Sequence, residues 1–310
     1  MSPSRHGRKT RFHGSTFLQF CLVCQGQLYL QNSFQLYWKS HFISSSSSQL
    51  KASFKLTPEP HIKMLLKKDV GEKIMHERDR ANRILKILNE NYTLPEWTNS
   101  KREPFQTLIR TVLSQATNDR NRDRAYKNLS QTSAISPKAL ATANVREIES
   151  AIRVGGLHRN KSRKIKELSK VILERFNGSL DFIYSKPLEK ARSTLMTIPG
   201  VGPKTADVVL LFSAKKPTVP IDTHVKRVSR RLGLAPTKGD YEEIRRALES
   251  LYSPNDYLAI HLLLISLGRT HCKARNPLHE SCPAKSMCPT AERENQQPNL
   301  HRLHGSRDYP

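Results

Sequence analysis

The sequence predicts an all-α protein, and three observations favour that class. Apolar residues recur at helical spacing along most of the chain from Asp69 onward. Proline and glycine residues divide these stretches into separate short segments. No alternating run of apolar and polar residues is long enough to predict a strand. A chain of 310 residues can bury one large hydrophobic core or two smaller ones.

The first predicted helix begins at Asp69 and ends at Asn91, before a short link bounded by Pro95 and Pro104. Its apolar face is formed by Ile74, Ala81, Leu85 and Leu88. Further helices are predicted over residues 105–115, 119–129, 137–142, 145–153, 160–176 and 187–197. Every element that we predict before the glycine-rich turn at Pro199 is therefore a helix.

The head of the chain has a different composition from the rest. Residues 1–58 contain seven Lys and Arg, no Asp or Glu, and a five-serine run at 44–48. This composition is typical of an organelle transit peptide. The alternative is that Met64 is the true start and the preceding residues are upstream sequence. Under either interpretation we expect residues 1–63 to build no core, and we interpret the Cys21 and Cys24 pair as accidental because no further cysteines lie nearby.

A glycine-rich turn separates two predicted helices at Pro199–Pro203. Glycine permits positive φ, and Pro203 fits the first turn of the next helix, where its missing N–H costs nothing. That helix is predicted to be buried because it carries Ala206, Val208, Val209, Leu210 and Leu211. The amides of Gly200 and Gly202, with the positive end of the helix dipole, predict a phosphate-binding site. The alternative is a turn without a binding role.

Lys204 lies in the first turn of the helix that follows this hairpin. The positive end of the helix dipole and partial burial would both depress its pKa. A lysine must lose its proton before it can attack carbon, so this position favours a nucleophile. The alternative, on so basic a protein, is a lysine that only binds phosphate.

Asp222 follows an extended Val-Pro-Ile segment and is predicted to be the N-cap of the next helix, which carries Val225, Val228 and Leu232 on one face. The loop before it could return the chain beside the hairpin. A carboxylate close to Lys204 could stabilise a developing cationic sugar and assist proton transfer. The alternative is that Asp222 serves only as a cap.

The segments LMTIPGVGPKTA, which contains the hairpin, and VPIDTH, which contains Asp222, resemble those of the helix-hairpin-helix DNA glycosylases, in particular the endonuclease III branch. The resemblance extends from about Pro104 to Pro289. It implies a six-helix barrel with the hairpin over residues 99–216. It also implies a second helical domain, built from 69–98 and 217–290, that ends in an iron–sulfur cluster loop. Residues 291–310 are then a tail.

The resemblance implies a bifunctional base-excision repair enzyme, because the lysine position marks the family members that both remove a base and cleave the strand. Lys204 and Asp222 would be its catalytic residues. We expect it to remove oxidised pyrimidines and to cleave abasic sites by β-elimination. Two alternatives remain: a glycosylase for another lesion, such as mismatched thymine or oxidised guanine, and a non-catalytic DNA-binding protein.

Two further segments resemble DNA-contacting parts of the family. Leu157, in the sequence Gly-Leu-His-Arg, resembles the leucine that is inserted into the duplex when a base is flipped out. Gln115 resembles the glutamine that fills the vacated space, although it stands one position earlier than in the family. Extrusion is needed because the reacting sugar carbon cannot be reached inside the base stack.

Near the C-terminus, cysteines stand where the family binds a [4Fe–4S] cluster. The family spacing is C-x6-C-x2-C-x5-C, and Cys272, Cys282 and Cys288 fit three of its positions. His279 occupies the second position. Histidine replaces cysteine on iron in some clusters, whereas three cysteines and a histidine can also hold zinc. A cluster, a zinc ion and no metal all remain open. In the family the loop between the first two positions touches DNA, so Lys273 and Arg275 are predicted DNA contacts.

The composition agrees with a polyanionic partner. The chain carries 52 Lys and Arg against 27 Asp and Glu, a formal net charge of +25. We expect a monomer that acts on double-stranded DNA with damaged bases or abasic sites, inside the cell or in an organelle if the head is a transit peptide. No apolar run is long enough to predict a membrane span.

Overall fold

A computed structural model describes residues 60–100 and 102–296 of the chain. The described residues contain α-helices and short 3-10 turns but no β-strand, which confirms the predicted all-α class. The transit-peptide prediction for residues 1–58 and the end of the predicted tail, from 297 onward, lie outside the described residues. None of the described helices has an apolar stretch long enough to cross a membrane.

The helices follow one another with short connections. In chain order they are α1 (Pro60–Asn91), α2 (Pro104–Leu113), α3 (Asp119–Thr132), α4 (Pro137–Thr142), α5 (Val145–Ala151), α6 (His158–Phe176), α7 (Phe182–Ser185), α8 (Leu188–Met196), α9 (Pro203–Ala214), α10 (Thr223–Arg231), α11 (Tyr241–Leu251), α12 (Tyr257–Thr270) and α13 (Pro289–Gln296). The 3-10 turns are Glu96–Asn99, Arg153–Gly155, Pro254–Asp256 and Lys285–Met287.

Two helices extend beyond the bounds that we expected. Helix α1 begins at Pro60 rather than Asp69, so residues 60–63, which we expected in the unstructured head, are helical. Proline is favoured at the first position of a helix because it has no N–H to leave unpaired. Helix α13 likewise extends to Gln296, into the segment that we expected to be a tail.

The buried apolar residues form two separate clusters. The first joins helices α2 to α9, with Leu108, Leu129, Ile165 and Leu195 among its fully buried members. The second joins α1 with α10, α11 and α12, and includes Leu88, Val228, Leu248 and Leu264. These clusters follow the predicted two-domain division, which remains a prediction, because the described residues after Pro60 form one compact unit.

Helix α9 belongs to both clusters. Its residues Ala206, Val209 and Leu210 pack into the first cluster. Its residues Val208, Leu211 and Phe212 pack into the second. A helix that is buried on both sides can hold a residue at its N-terminus in a fixed position relative to both clusters, and α9 carries Lys204 there.

Candidate active site

The hairpin between α8 and α9 is a tight turn with an accessible backbone. The amide of Val201 donates to the carbonyl of Ile198 at 3.0 Å and closes the turn. Gly200 has φ 77°, a conformation that L side chains rarely adopt. Gly202 is the N-cap of α9, and a Cβ atom added there would meet nothing within 4 Å. The backbone on that side is therefore open to an approaching anion.

Lys204 lies in the first turn of α9, and its side chain is partly buried. Burial lowers the pKa of the Lys204 amine, and the nearby positive charge of Arg122 lowers it further. The carboxylate of Asp222 acts in the opposite direction. The overall shift is downward, so Lys204 loses its proton at lower pH than an exposed lysine does.

Asp222 is the N-cap of α10, as the sequence predicts. Its Oδ1 accepts a hydrogen bond of 2.7 Å from the amide of Val225. Among the described residues, no hydrogen bond to its other carboxylate oxygen is found. Asp222 lies near enough to Lys204 to raise the pKa of its amine, although the two side chains form no ion pair among the described residues. Their joint catalytic role remains a prediction.

Residues Val219–Asp222 form an extended segment, the aspartate loop, whose backbone is held by three side chains. The amide of Val219 donates to Glu249 Oε1 at 3.0 Å. The carbonyl of Pro220 lies 2.8 Å from Nδ1 of His261. The amide of Ile221 donates to the hydroxyl of Tyr241 at 3.3 Å. Sequence analysis missed all three side chains, because none lies within a motif that contains Asp222.

His261 is buried close to the two predicted catalytic residues. Burial lowers the pKa of His261 to about 4, with Asp222 raising it and Lys204 lowering it further. The imidazole is therefore neutral at neutral pH. A carbonyl oxygen only accepts hydrogen bonds, so the proton on the neutral ring is assigned to Nδ1, which donates to Pro220.

An open cavity of about 630 Å³ is lined by residues around the start of α3 and by one residue each of α10 and α12. Its lining residues are Ala116, Thr117, Asn118, Asp119, His224 and Arg269. Asp119 accepts hydrogen bonds of 2.6 Å from both Arg122 and Arg269. Burial alone would raise the pKa of Asp119, but these two arginines lower it overall. The cavity thus has a polar wall that contains a fixed negative charge.

The predicted DNA-contacting residues Leu157 and Gln115 lie on connected segments. Leu157 is 56% exposed and has φ 49°, which turns the chain before α6. The ammonium group of buried Lys161 donates to the carbonyl of Leu113 and to that of Gly155, each at 2.8 Å. It therefore ties the end of α2, next to Gln115, to the turn that presents Leu157.

The cysteine loop, residues 272–288, has its thiols inward and its predicted DNA contacts outward. Cys272 and Cys288 are buried, Cys282 is half-buried, and all three are free thiols. Lys273 and Arg275 are exposed. The guanidinium of Arg231, on α10, donates to Cys272 Sγ at 3.4 Å and to the carbonyl of Lys273 at 2.6 Å. This arginine fixes the first turn of the loop.

The predicted metal ligands form an incomplete set in the structure. Burial raises the pKa of Cys282, and Cys288 and Cys272 raise it further, so the three thiols are neighbours. His279, in contrast, has Nδ1 at 2.9 Å from the carboxylate of Glu294. Within residues 60–100 and 102–296, no group of three His, Cys, Asp or Glu side chains is placed to hold a single metal ion. The predicted ligand set thus remains a prediction.

The chain is similar to known DNA repair proteins over most of the described residues. Residues 109–254 match the family described as 'HhH-GPD superfamily base excision DNA repair protein'. An endonuclease III of Sulfolobus acidocaldarius is 36% identical over 218 residues, which span 68% of this chain and 96% of that protein. An endonuclease III of Thermotoga maritima is 38% identical over 186 residues, 60% of this chain and 83% of that protein.

Among solved structures, a trapped endonuclease III–DNA covalent intermediate aligns with a TM-score of 0.62 and 30% identity, over 70% of this chain and 98% of that one. A non-covalent endonuclease III–DNA complex aligns with the same TM-score and identity. Together with the helical hairpin, these similarities identify the family. The chain belongs to the endonuclease III family of helix-hairpin-helix DNA glycosylases and abasic-site lyases.

Proposed function

We propose that this protein removes oxidised pyrimidines from double-stranded DNA and then cleaves the strand at the resulting abasic site, with Lys204 as the nucleophile. Base excision and abasic-site cleavage are the activities of its family. The observation that carries the assignment to Lys204 is its partial burial at a helix N-terminus beside Asp222. Burial depresses the pKa of the amine, so more of it is neutral and able to react.

In the covalent step, the neutral amine of Lys204 donates its electron pair to C1′ of the sugar. The glycosidic bond breaks, and the base leaves with the electron pair of that bond and takes up a proton. The lysine nitrogen loses a proton and the sugar ring opens to give an imine. Loss of a C2′ proton then expels the 3′ phosphate oxygen, and water finally hydrolyses the imine. These steps balance with water and proton transfers alone.

Asp222 would stabilise this reaction by charge. The sugar becomes positively charged as the base departs, and a carboxylate held beside it lowers the energy of that state. The hydrogen bond from Val225 fixes one carboxylate oxygen and leaves the other free to face the sugar or to take a proton from Lys204.

The hairpin and two exposed segments would bind the DNA. The open backbone at Gly202, at the positive end of α9, suits a backbone phosphate, and the side chain of Lys164 lies against the neighbouring Gly200. The exposed Leu157 and the nearby Gln115 would occupy the gap that a flipped nucleotide leaves. Lys273 and Arg275, exposed on the cysteine loop, would contact a further phosphate.

The cavity lined by Asp119, His224 and Arg269 is the proposed pocket for the flipped base. Asn118, Asp119 and Arg269 provide hydrogen-bond donors and acceptors on its wall. Oxidised pyrimidines carry additional polar atoms that such a wall can bind. Duplexes that each contain one lesion would test this choice: we expect faster release of an oxidised pyrimidine than of mismatched thymine or oxidised guanine. A preference for either of the latter would overturn the proposed specificity.

The proposal includes a [4Fe–4S] cluster held by Cys272, Cys282, Cys288 and His279. Three neighbouring thiols suit iron, and a cubane separates its ligands more widely than a single zinc ion does. The carboxylate of Glu294 accepts from His279 Nδ1 and leaves Nε2 as the ligand atom, the arrangement that orients many metal-binding histidines. When bound, such a cluster would fasten both ends of the cysteine loop.

The nucleophile can be tested by borohydride reduction of the imine on an abasic-site duplex. The wild type should give a covalent protein–DNA adduct, and Lys204→Ala should reduce its yield by at least about 1,000-fold. Lys190→Ala, which changes an exposed lysine on α8, is the matched control and should react like the wild type. An undiminished adduct in Lys204→Ala would reject Lys204 as the nucleophile.

A further inference from the structure

Helix α9 carries a buried carboxylate one turn after Lys204. Asp207 is 0% exposed. Arg192 Nε donates to its Oδ1 at 2.7 Å, and Arg192 Nη2 donates to its Oδ2 at 3.2 Å. Arg192 in turn contacts the carboxylate of Glu242 on α11. A charge this deep requires partners in fixed positions, so the network holds α8, α9 and α11 together.

The hydroxyl of Tyr241 extends this network to the aspartate loop. It donates to Asp207 Oδ2 at 2.7 Å and accepts from the amide of Ile221 at 3.3 Å. Ile221 directly precedes Asp222 in the chain. A single oxygen atom therefore joins the helix that carries Lys204 to the backbone next to Asp222.

The other contacts of the aspartate loop come from a later turn of α11 and from α12. Glu249, on α11, accepts a hydrogen bond from the amide of Val219. His261, on α12, is hydrogen-bonded to the carbonyl of Pro220. The cap between Asp222 and Val225 sets the orientation of the carboxylate on α10. Among the described hydrogen bonds, the one through the Tyr241 hydroxyl is the shortest route from α9 to this loop. This hydroxyl is therefore a direct hydrogen-bonded link between the helix that carries Lys204 and the segment that carries Asp222.

We propose that Tyr241 is a positioning residue, whose hydroxyl sets the separation between Lys204 and Asp222 by joining Asp207 to the amide of Ile221. The inference rests on the proposed function of Lys204 and Asp222. Reacting groups lose rate when they are displaced by about 1 Å, even if every one of them is present. Tyr241 touches neither the sugar nor the base in this account.

Removal of one oxygen atom tests this role. Tyr241→Phe keeps the ring and its packing but leaves Asp207 with Arg192 alone and the amide of Ile221 without its acceptor. Tyr252→Phe is the matched control, because the Tyr252 hydroxyl is also buried but has no hydrogen-bond partner among the described residues. The measurements on the full chain are the single-turnover rate of adduct trapping, the affinity for an abasic-site duplex and the melting temperature.

We expect Tyr241→Phe to trap the adduct about 10-fold more slowly while its affinity for the duplex stays unchanged. Tyr252→Phe should match the wild type in its trapping rate and in its affinity for the duplex. In an Asp222→Asn background, Tyr241→Phe should cause little further loss, because its effect passes through Asp222. A displaced Asp222 would also raise the pKa of Lys204 less, so the acidic limb of the pH–rate profile should move to lower pH in Tyr241→Phe.

Three results would overturn the inference alone: an unchanged trapping rate in Tyr241→Phe, an equal loss in Tyr252→Phe, or a loss that is fully additive with Asp222→Asn and leaves the pH profile unmoved. The last would show general destabilisation rather than positioning. Failure of the proposed function looks different. In that case the wild type itself traps no adduct, or Lys204→Ala traps as much as the wild type does.

Discussion

The aspartate loop and the cysteine loop are both irregular segments between helices, but they are held in different ways. Three side chains from α11 and α12 bind successive backbone groups of the aspartate loop, and its carboxylate caps the next helix. The cysteine loop is bound at its first turn by Arg231, and its predicted ligand His279 faces Glu294. The backbone of the aspartate loop is thus held by hydrogen bonds to side chains of α11 and α12.

The difference shows that hydrogen bonds from packed helices are enough to hold the aspartate loop, whereas a bound metal centre would add order to the cysteine loop. A nucleophile and its carboxylate must be placed before substrate arrives, and buried hydrogen bonds can do this. The two ends of the cysteine loop are joined through Arg231, whose side chain binds Cys272 and the carbonyl of Lys273 and whose carbonyl accepts from Cys288 Sγ. A bound metal centre would add direct links between the thiols. Four changes can break or sharpen this comparison.

Asp222→Asn should have the largest effect. Asparagine caps helices about as well as aspartate, so the melting temperature should change by no more than a few degrees. The rate of strand cleavage should fall by at least about 100-fold, because the amide carries no charge and accepts no proton. Glu103→Gln is the matched control, since the carboxylate of Glu103 also accepts from backbone amides at the start of a helix, α2, and does not contact the aspartate loop. Equal losses in both variants would make Asp222 a cap only.

His261 should make the fold sensitive to acid. The pKa of His261 is about 4 in the folded chain and about 6.5 in an unfolded one, so the folded state binds fewer protons between these values. The contribution of neutral His261 to the free energy of unfolding is therefore fully present above pH 6.5. Up to about 3 kcal/mol of it is lost as the pH falls toward 4.

Chemical denaturation across this pH range would measure the loss in the wild type and in His261→Asn. The asparagine can still donate to Pro220 but does not titrate, so its unfolding free energy should depend less on pH. His76→Asn, at an exposed position on α1, serves as the control. An unchanged pH dependence in His261→Asn would show that another group is responsible.

Glu294→Gln should weaken metal retention in the cysteine loop by about 10-fold, because it removes the charge that orients His279. Iron and acid-labile sulfide would be measured in protein purified without oxygen and then exposed to a chelator. Glu292→Gln, at an exposed position on the same helix, should retain the metal like the wild type. Zinc without sulfide in the wild type would replace the cluster with a structural zinc site, and absence of any metal would reject both.

Lys273→Ala and Arg275→Ala should have the smallest effect. Each should lower the slope of log affinity against log salt by about one unit, because one phosphate contact is lost. Adduct trapping at saturating DNA should be unaffected. Lys190→Ala again provides a control at a distant exposed position. If the double variant keeps the slope of the wild type, the cysteine loop does not lie at the DNA interface.

The sequence was sufficient where a position depends on its neighbours in the chain. Pro203 at the start of α9 and Asp222 at the cap of α10 follow from the preferences of helix termini, which involve residues within about four positions. The buried faces of these helices followed from apolar spacing in the same way. The places of Lys204 and Asp222 in the fold were therefore predictable.

Only the tertiary structure decided what surrounds these two residues. Tyr241, His261 and Glu249 bind the aspartate loop from 20 to 41 residues away in the chain. Asp207 lies on a helix that was predicted to be buried, and no motif marks it. In the structure it links α9 to the aspartate loop through Tyr241. Buried polar groups must find partners wherever packing brings them, and no short motif records that choice. The sequence thus predicted Lys204 and Asp222, and packing of distant helices determined which side chains surround them.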